Sequence, residues 1–294
     1  MRKNKISLYI PVFNEEGRIG TLLDSIFSQS LIPDEIIIVD DGSSDNSLKI
    51  VSKYPSVRTI KHPSNKGVAA ARNTGVLSSA HSLVIGVNAD CRIPNSTFVE
   101  DLVGSFLSIR DKNKKFVGLG PAVKLADNNN IADQWRSVHL LGNWGKKFVL
   151  NPPYLSARAI IFSKEAILRV GLYDERYNKA GEDADICRKL LSAGYSYGYD
   201  PNIIVYYHNE FHSISGVLKS QYLYRSEARR TGVWGKVPLV GRLLADIYYS
   251  LKIIVQDMLH LRINLIFISS LVVPSNVFYD LKGTGGQQLG GSGI

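Results

Sequence analysis

The chain has 294 residues, 45% of them hydrophobic and 21% charged, with a formal net charge of +9 and a pI near 9.4. This length and apolar content allow one large α/β domain with an appendage, or two modest domains, and the charge favours an anionic partner: nucleic acid, a nucleotide, or a membrane surface with acidic lipids. Two cysteines, Cys91 and Cys187, without CxxC spacing argue against a disulfide framework or structural zinc site and for free thiols in a reducing compartment.

The basic N-terminus, Met1 to Lys5, runs directly into the strand-like Ile6 to Val12 without the pattern of a signal peptide, so the chain is expected in the cytosol. Short β-branched runs follow at Glu35 to Asp40, Val57 to Lys61 and Leu83 to Val87. Between them lie apolar residues at helical spacing, such as Ile19, Leu22, Leu23 and Ile26. The alternation, sustained to about residue 123, predicts parallel strands joined by right-handed crossovers: a doubly wound, mostly parallel α/β sheet flanked by helices. Such sheets take ligands beyond the carboxyl ends of their strands. The polar segments after Val12, Asp40 and Val87 all fall at such ends, so one cleft would collect them.

Residues 124 to 153 are rich in Asn, Gly, Pro and Trp, lack strong periodicity, and read as a long excursion over the cleft. Regular structure is expected to resume with Leu155 to Phe162, a helix from about Lys164, another from near Glu182 to before Gly194, and a last core strand, Pro201 to Tyr207. Beyond residue 211 the character changes. Residues 212–282 carry nine Lys and Arg against four Asp and Glu, a local net of +5, around a largely apolar stretch from Val237 to Phe278. Arg242, Asp246, Lys252, Asp257 and Arg262 interrupt that stretch, and its longest clean run, Ile263 to Val273, is shorter than the ~20 residues of a spanning helix. The region suits helices lying on an anionic membrane, packing on the core, or joining copies of the chain into a homo-oligomer. The expected organisation is a first domain over 1–211, a basic and apolar helical region over 212–282, and a flexible Gly-rich tail over 283–294.

Two acidic segments carry most of the chemistry. Asn88-Ala89-Asp90 ends an apolar run and Gly181-Glu182-Asp183-Ala184-Asp185 comes much later; between them they would supply a ligand for a divalent metal and a separate proton acceptor. In Val39-Asp40-Asp41-Gly42-Ser43-Ser44-Asp45, Asp41 can accept hydrogen bonds from a nucleotide base, although the same sequence is also an ordinary turn and N-cap. Pro11 and Phe13 close the first strand and could flank that base, with Glu15 just beyond. Lys66-Gly67 precedes a helix beginning around Val68, where backbone N–H groups and a cation would face a diphosphate; Arg72 either joins them or pairs structurally. Glu182 and Asp183 open a helix whose N-terminal dipole stabilises anions. His208 either returns to the cleft as a ligand of metal or diphosphate or is a structural group. Trp135, Trp144 and Tyr154 form either an acceptor platform or part of the core. The first turn lacks the GxGxxG fingerprint of nicotinamide dehydrogenases, and there is no P-loop.

In order and spacing these segments, with Ile10-Pro11-Val12-Phe13-Asn14-Glu15, Asn65-Lys66-Gly67 and Ala71-Arg72-Asn73, resemble family 2 glycosyltransferases of the GT-A fold over roughly residues 5 to 212. The resemblance implies an inverting, metal-dependent transfer of a sugar from a UDP- or GDP-sugar to an acceptor hydroxyl; the basic, apolar C-terminal region, docked on the cytoplasmic face of the membrane, would place the cleft near a polyprenyl-linked or polysaccharide acceptor. The resemblance also implies that Asn88-Ala89-Asp90 stands where the family has Asp-X-Asp. Asp90 would then bind Mn²⁺ or Mg²⁺, with His208 as a second ligand, and Asn88 and Ala89 would lie against the donor. It further implies Asp183 as the general base, with Glu182 positioning the acceptor or supporting the base. Asn88 in place of the first Asp departs from the pattern and weakens the local negative field. The family's processive Gln-x-x-Arg-Trp signature is absent, so one sugar is expected per encounter. Asn88 and the basic charge keep a second class open, a noncatalytic nucleotide-sugar or nucleic-acid binding protein; for the enzyme no nucleic acid partner is expected.

Overall fold

The computed structural model describes residues 4–126, 130–139, 141–177, 181–208, 213–218, 239–260 and 262–272. The expected tail, 283–294, lies outside them. By its internal contacts the chain divides into two units, one formed by 1–127 and 141–209, the other by 128–140 and 210–294.

In the first unit, β1 (Ile6–Val12), α1 (Ile19–Phe27), β2 (Glu35–Asp40), α2 (Ser47–Val51), β3 (Arg58–Lys61), α3 (Val68–Ser78) and β4 (Leu83–Val87) alternate as expected. The strands pair in parallel in the order β3-β2-β1-β4. β1 reads as a nearly unbroken apolar run because both its faces are covered. Ile6, Leu8, Ile10 and Val12 enter one apolar layer and Tyr9 the other. Since the chain moves outward from β1 through β2 to β3 and then returns to β1's other side for β4, the strand order reverses between β1 and β4. A crevice opens at the carboxyl ends there.

The later strands add antiparallel pairings. β5 (Cys91–Arg92), α4 (Phe98–Lys112) and β6 (Phe116–Leu125) follow β4; then come β7 (Val149–Leu150), β8 (Ala159–Ser163), α6 (Lys164–Arg169), α7 (Glu182–Ser192) and β9 (Ser196–Tyr207). The sheet continues β4-β8-β6-β9-β5, with β7 also on β9. β8 runs antiparallel to β4 with Val87 opposite Ala159, and β5 runs antiparallel to β9 with Cys91 opposite Tyr207. The turn between β4 and β5 is therefore held on both flanks. Gly42 completes the turn after β2 with φ +81°, and a Cβ there would lie 2.8 Å from the Ser64 carbonyl carbon, so the position requires glycine.

The stretch 124–153, read from sequence as one long loop, contains the end of β6, β7 and a helix, α5 (Ile131–His139). Asn130 caps that helix, its Oδ1 accepting from the Asp133 N–H at 2.9 Å. Ala132 and Trp135 from α5 join Val217 from a short helix α8 (214–218), Ile253 from α9 (Leu239–Leu259), and Leu265, Ile268 and Val272 from α10 (263–272) in the apolar core of the second unit. The reading of Trp135 as an acceptor platform is corrected here. Its side chain is fully buried, and its Nε1 donates to Ser269 Oγ at 2.7 Å. A polar tip satisfied inside an apolar core is the structural use of tryptophan.

Ser269 Oγ in turn donates to Asp257 Oδ2 at 2.7 Å, and His139 Nε2 lies 3.0 Å from Asp257 Oδ1. The buried Asp257 thus ties α5, α9 and α10 together. No helix among the described residues is long and apolar enough to cross a membrane. Replacing Asp257 by alanine leaves these polar partners uncompensated and is expected to destabilise the second unit by about 3–5 kcal/mol, read as a lower urea midpoint; an unchanged midpoint would show that the tie carries no weight.

Candidate active site

A cleft of about 240 Å³ opens at the carboxyl ends of β1, β2 and β4. Pro11, Phe13 and Glu15 line it from β1's end, Asp41 from β2's end, Asn65 and Gly67 from the turn before α3, and Asn88, Ala89 and Asp90 from the turn after β4. Seven of the residues singled out from sequence thus meet in one place. Phe13 is 45% exposed there, an aromatic face open to a flat ligand such as a base.

The loops after β1 and β2 are stitched to each other by the polar residues of their motifs. Asn14 Oδ1 accepts from Ser44 N–H at 2.9 Å; Ser47 Oγ accepts from Glu15 N–H at 2.8 Å; Asp45 Oδ2 accepts from Glu16 N–H at 2.9 Å. Asp41 has a different task. Its Oδ1 accepts from Lys66 N–H at 2.9 Å and its Oδ2 from Gly67 N–H at 2.8 Å, which satisfies donors at the start of α3. His62, given no role from sequence, lies with Nδ1 2.7 Å from Asp41 Oδ1 and Nε2 2.9 Å from Thr74 Oγ1. Since a carboxylate only accepts, Nδ1 carries a proton and holds Asp41 in place. This corrects the expectation that the Lys66 and Gly67 N–H groups face a diphosphate. They are taken by Asp41, and the exposed Lys66 ammonium is what that turn offers an anion.

Behind the cleft, Arg72 is buried and joins the two acidic motifs. Its Nη1 donates to Glu182 Oε1, while its Nη2 donates to Asn88 Oδ1 at 2.9 Å and to the Ala157 carbonyl at 3.4 Å. Burial, the largest influence, would lower this guanidinium's pKa, but Glu182 together with Tyr173, Tyr9 and Asp183 outweighs it and keeps the group charged. Of the two roles open to Arg72, the structure shows the pairing one; the side chain is committed to protein partners rather than to the cleft. Glu182 is buried with it, and among the described residues its Oε2 has no hydrogen-bond partner.

Asp183, next in α7, accepts from the Ala184 N–H at 2.8 Å. Burial, followed by the charge of Glu182, pushes its carboxyl up to about 6, with Arg72 and Arg158 opposing. A carboxylate so poised is suited to accept a proton near neutral pH. His208 comes beside Asp90 through the β5–β9 ladder, its N–H donating to the Asp90 carbonyl at 2.9 Å. With the Asn88 amide oxygen turned to Arg72, Asp90 and His208 are the pair that a divalent cation could use. No cluster of three or more His, Cys, Asp or Glu exists among the described residues. One carboxylate and one imidazole fit an ion that draws its remaining ligands from phosphate and water, as Mg²⁺ and Mn²⁺ do.

Sequence reasoning missed Arg158, immediately before β8. Its guanidinium lies 4.1 Å from the centroid of the Tyr207 ring, and its charge acts on both Asp90 and Asp183. An isolated arginine at the edge of an apolar run gives no sequence signal. Both cysteines are buried and free, and burial pushes the Cys91 thiol well up and the Cys187 thiol up to about 12, so neither is a nucleophile.

A family model described as Glycosyl transferase family 2 matches residues 7–155. The pre-mycofactocin glycosyltransferase of Mycobacterium tuberculosis is 29% identical over 207 residues, 68% of this chain and 42% of that protein. The chain thus spans less than half the length of this curated relative. Among solved structures, the Pyrobaculum calidifontis mannosyltransferase PcManGT, in complex with GDP-Man and Mn²⁺, superposes with a TM-score of 0.61 at 15% identity, covering 98% of this chain and 77% of that one. GalNAc-T7 with UDP, GalNAc and Mn²⁺ gives a TM-score of 0.58 at 15% identity over 77% and 48% of the two chains. With its motifs gathered at the switch point of a GT-A sheet and half its length matched by the family model, the chain belongs to glycosyl transferase family 2.

Proposed function

We propose that this glycosyltransferase moves one sugar at a time from a UDP- or GDP-sugar to a hydroxyl of a lipid-linked or polysaccharide acceptor, with inversion at the anomeric carbon. The observation that carries this reading is Arg72, which bonds Asn88 of the cleft and Glu182 of the acidic helix at once and so ties the donor side to the candidate base. The donor's base lies between Phe13 and the one lone pair left on Asp41 Oδ2, beside Pro11 and Glu15; Asn88 and Ala89 border the ribose and diphosphate, and Lys66 adds a cation. A Mn²⁺ or Mg²⁺ ion held by Asp90 and His208 would supply Lewis-acid stabilisation of the charge on the leaving nucleoside diphosphate. Asp183 takes the proton from the acceptor hydroxyl, whose oxygen then attacks the face of the sugar opposite the leaving group. Glu182, buried and fixed through Oε1 by Arg72, supports the base, its charge adding to the burial that raises the Asp183 carboxyl.

The second unit is the membrane contact in this reading. Leu244, Ile247, Tyr248, Leu251, Val255, Met258 and Leu259 are exposed along α9 at spacings that place them on one side of the helix. The surrounding sequence carries the +5 local charge of residues 212–282. An apolar helix side in basic surroundings suits an anionic bilayer surface, the cytoplasmic leaflet, where a polyprenyl-linked acceptor would reside.

Asp183→Asn is expected to lower kcat by about 10²–10⁴-fold with nucleoside diphosphate binding retained; near-normal turnover would remove Asp183 as base. Because the base must be ionised, and burial places its pKa at about 6, wild-type kcat/KM should be flat above that pH and fall about tenfold per unit below it. Glutamate at Leu244, Leu251 and Met258 together should weaken sedimentation with phosphatidylglycerol-containing vesicles by at least about tenfold. Undiminished sedimentation would eliminate α9 as the membrane contact.

A further inference from the structure

Arg158 occupies a place that no motif announced. The β4–β8 register puts it opposite Asn88, and its carbonyl oxygen accepts from the Asn88 N–H at 2.8 Å and from Cys91 Sγ at 3.4 Å. Its backbone is therefore bonded to both ends of the Asn88-Ala89-Asp90 turn. The side chain is equally constrained: the guanidinium lies over the Tyr207 ring at 4.1 Å, and Nη1 donates to Ser156 Oγ at 3.3 Å. Burial would lower its pKa, but Tyr207 and Asp90 hold it in the charged form. Among the described residues no carboxylate comes within ion-pair distance of it, and Ser156 and Tyr207 occupy only part of its five N–H groups. It is a held, charged fork with donors to spare.

The charge balance of the turn gives these donors a purpose. Asn88 is neutral and its amide oxygen is taken by Arg72, so Asp90 is the turn's one carboxylate. A guanidinium beside a single carboxylate attracts an anion far better than a pair of acids would. Arginine's planar donors match phosphate oxygens in pairs.

We propose that Arg158 binds the donor's diphosphate directly, so that nucleoside diphosphate is held by a guanidinium fixed in the protein as well as by any cation at Asp90. The inference rests on the glycosyltransferase reading above. It makes donor binding partly independent of metal.

The test is calorimetric titration of UDP and GDP into the full chain, with Mn²⁺ and again with EDTA. The wild type should keep measurable affinity in EDTA for one of the two, within about tenfold of the Mn²⁺ value, and this residual affinity should weaken as salt is raised. Arg158→Gln, which retains a hydrogen-bond donor near Ser156 without the charge, should lose the residual affinity at least about tenfold, while Arg158→Lys recovers part of it. Asp90→Asn should lose the Mn²⁺ enhancement and leave the EDTA affinity in place. Thermal melts of each variant separate binding loss from unfolding. Wild-type binding abolished by EDTA, or Arg158→Gln matching the wild type in EDTA while folded, overturns the inference and leaves the enzyme reading intact. If neither nucleotide binds the wild type even with Mn²⁺, the enzyme reading fails and this inference with it.

Discussion

A guanidinium removed from water costs several kcal/mol unless its donors and its charge are both met, and the site is organised around meeting those of Arg72. Glu182 supplies the charge, while Asn88 and the Ala157 carbonyl take the two Nη2 donors. These partners come from α7, from the turn after β4 and from the approach to β8, three places far apart in sequence. Their shared cation fixes how the acidic helix faces the cleft. It also accounts for the residue at position 88. One buried positive charge neutralises one buried carboxylate, and Glu182 is already that carboxylate; an amide at 88 satisfies Arg72 without adding a second acid to the same enclosed space.

Most polar residues of the sequence motifs hold the cleft's walls rather than reach into it. Asn14, Asp45 and Ser47 fasten the loop after β1 to the loop after β2, and Asp41 closes the start of α3 across 25 residues of chain. A wall fixed at so many points keeps Phe13 and Asp41 in register with each other. Discrimination between bases needs that register, because a hydrogen-bonding site rejects the wrong partner by leaving a rigid polar group unmatched.

The first four strands, α1 and α7 were legible because each obeys one local rule: continuous apolar runs for β1, β2 and β4, which are covered on both sides, β-branched residues for the exposed edge strand β3, helical spacing for α1, an acidic first turn for α7. β6 was not. Gly118, Gly120 and Pro121 interrupt its pattern, and the first of these is set by a distant neighbour, since a Cβ at Gly118 would lie 2.5 Å from the Phe162 ring. The helix α5 was hidden by the Asn-rich segment before it and by a tryptophan whose burial depends on helices more than a hundred residues later. Within the site, the motif acids were legible by type and place, but the assignments that depend on partners were not. The capping by Asp41, the support from His62 and the position of Arg158 are products of strand register and loop contact, which no local pattern encodes.

The second unit is assembled from two separate lengths of chain, 128–140 and the segment from 210 onward. Cutting the polypeptide near residue 211 would therefore not yield a trimmed catalytic half. It would leave α5 in the fragment with Ala132 and Trp135 stripped of their apolar neighbours and His139 stripped of Asp257. A sticky, aggregation-prone product is the consequence, and a soluble core would require excising the 128–140 insert along with the C-terminal helices.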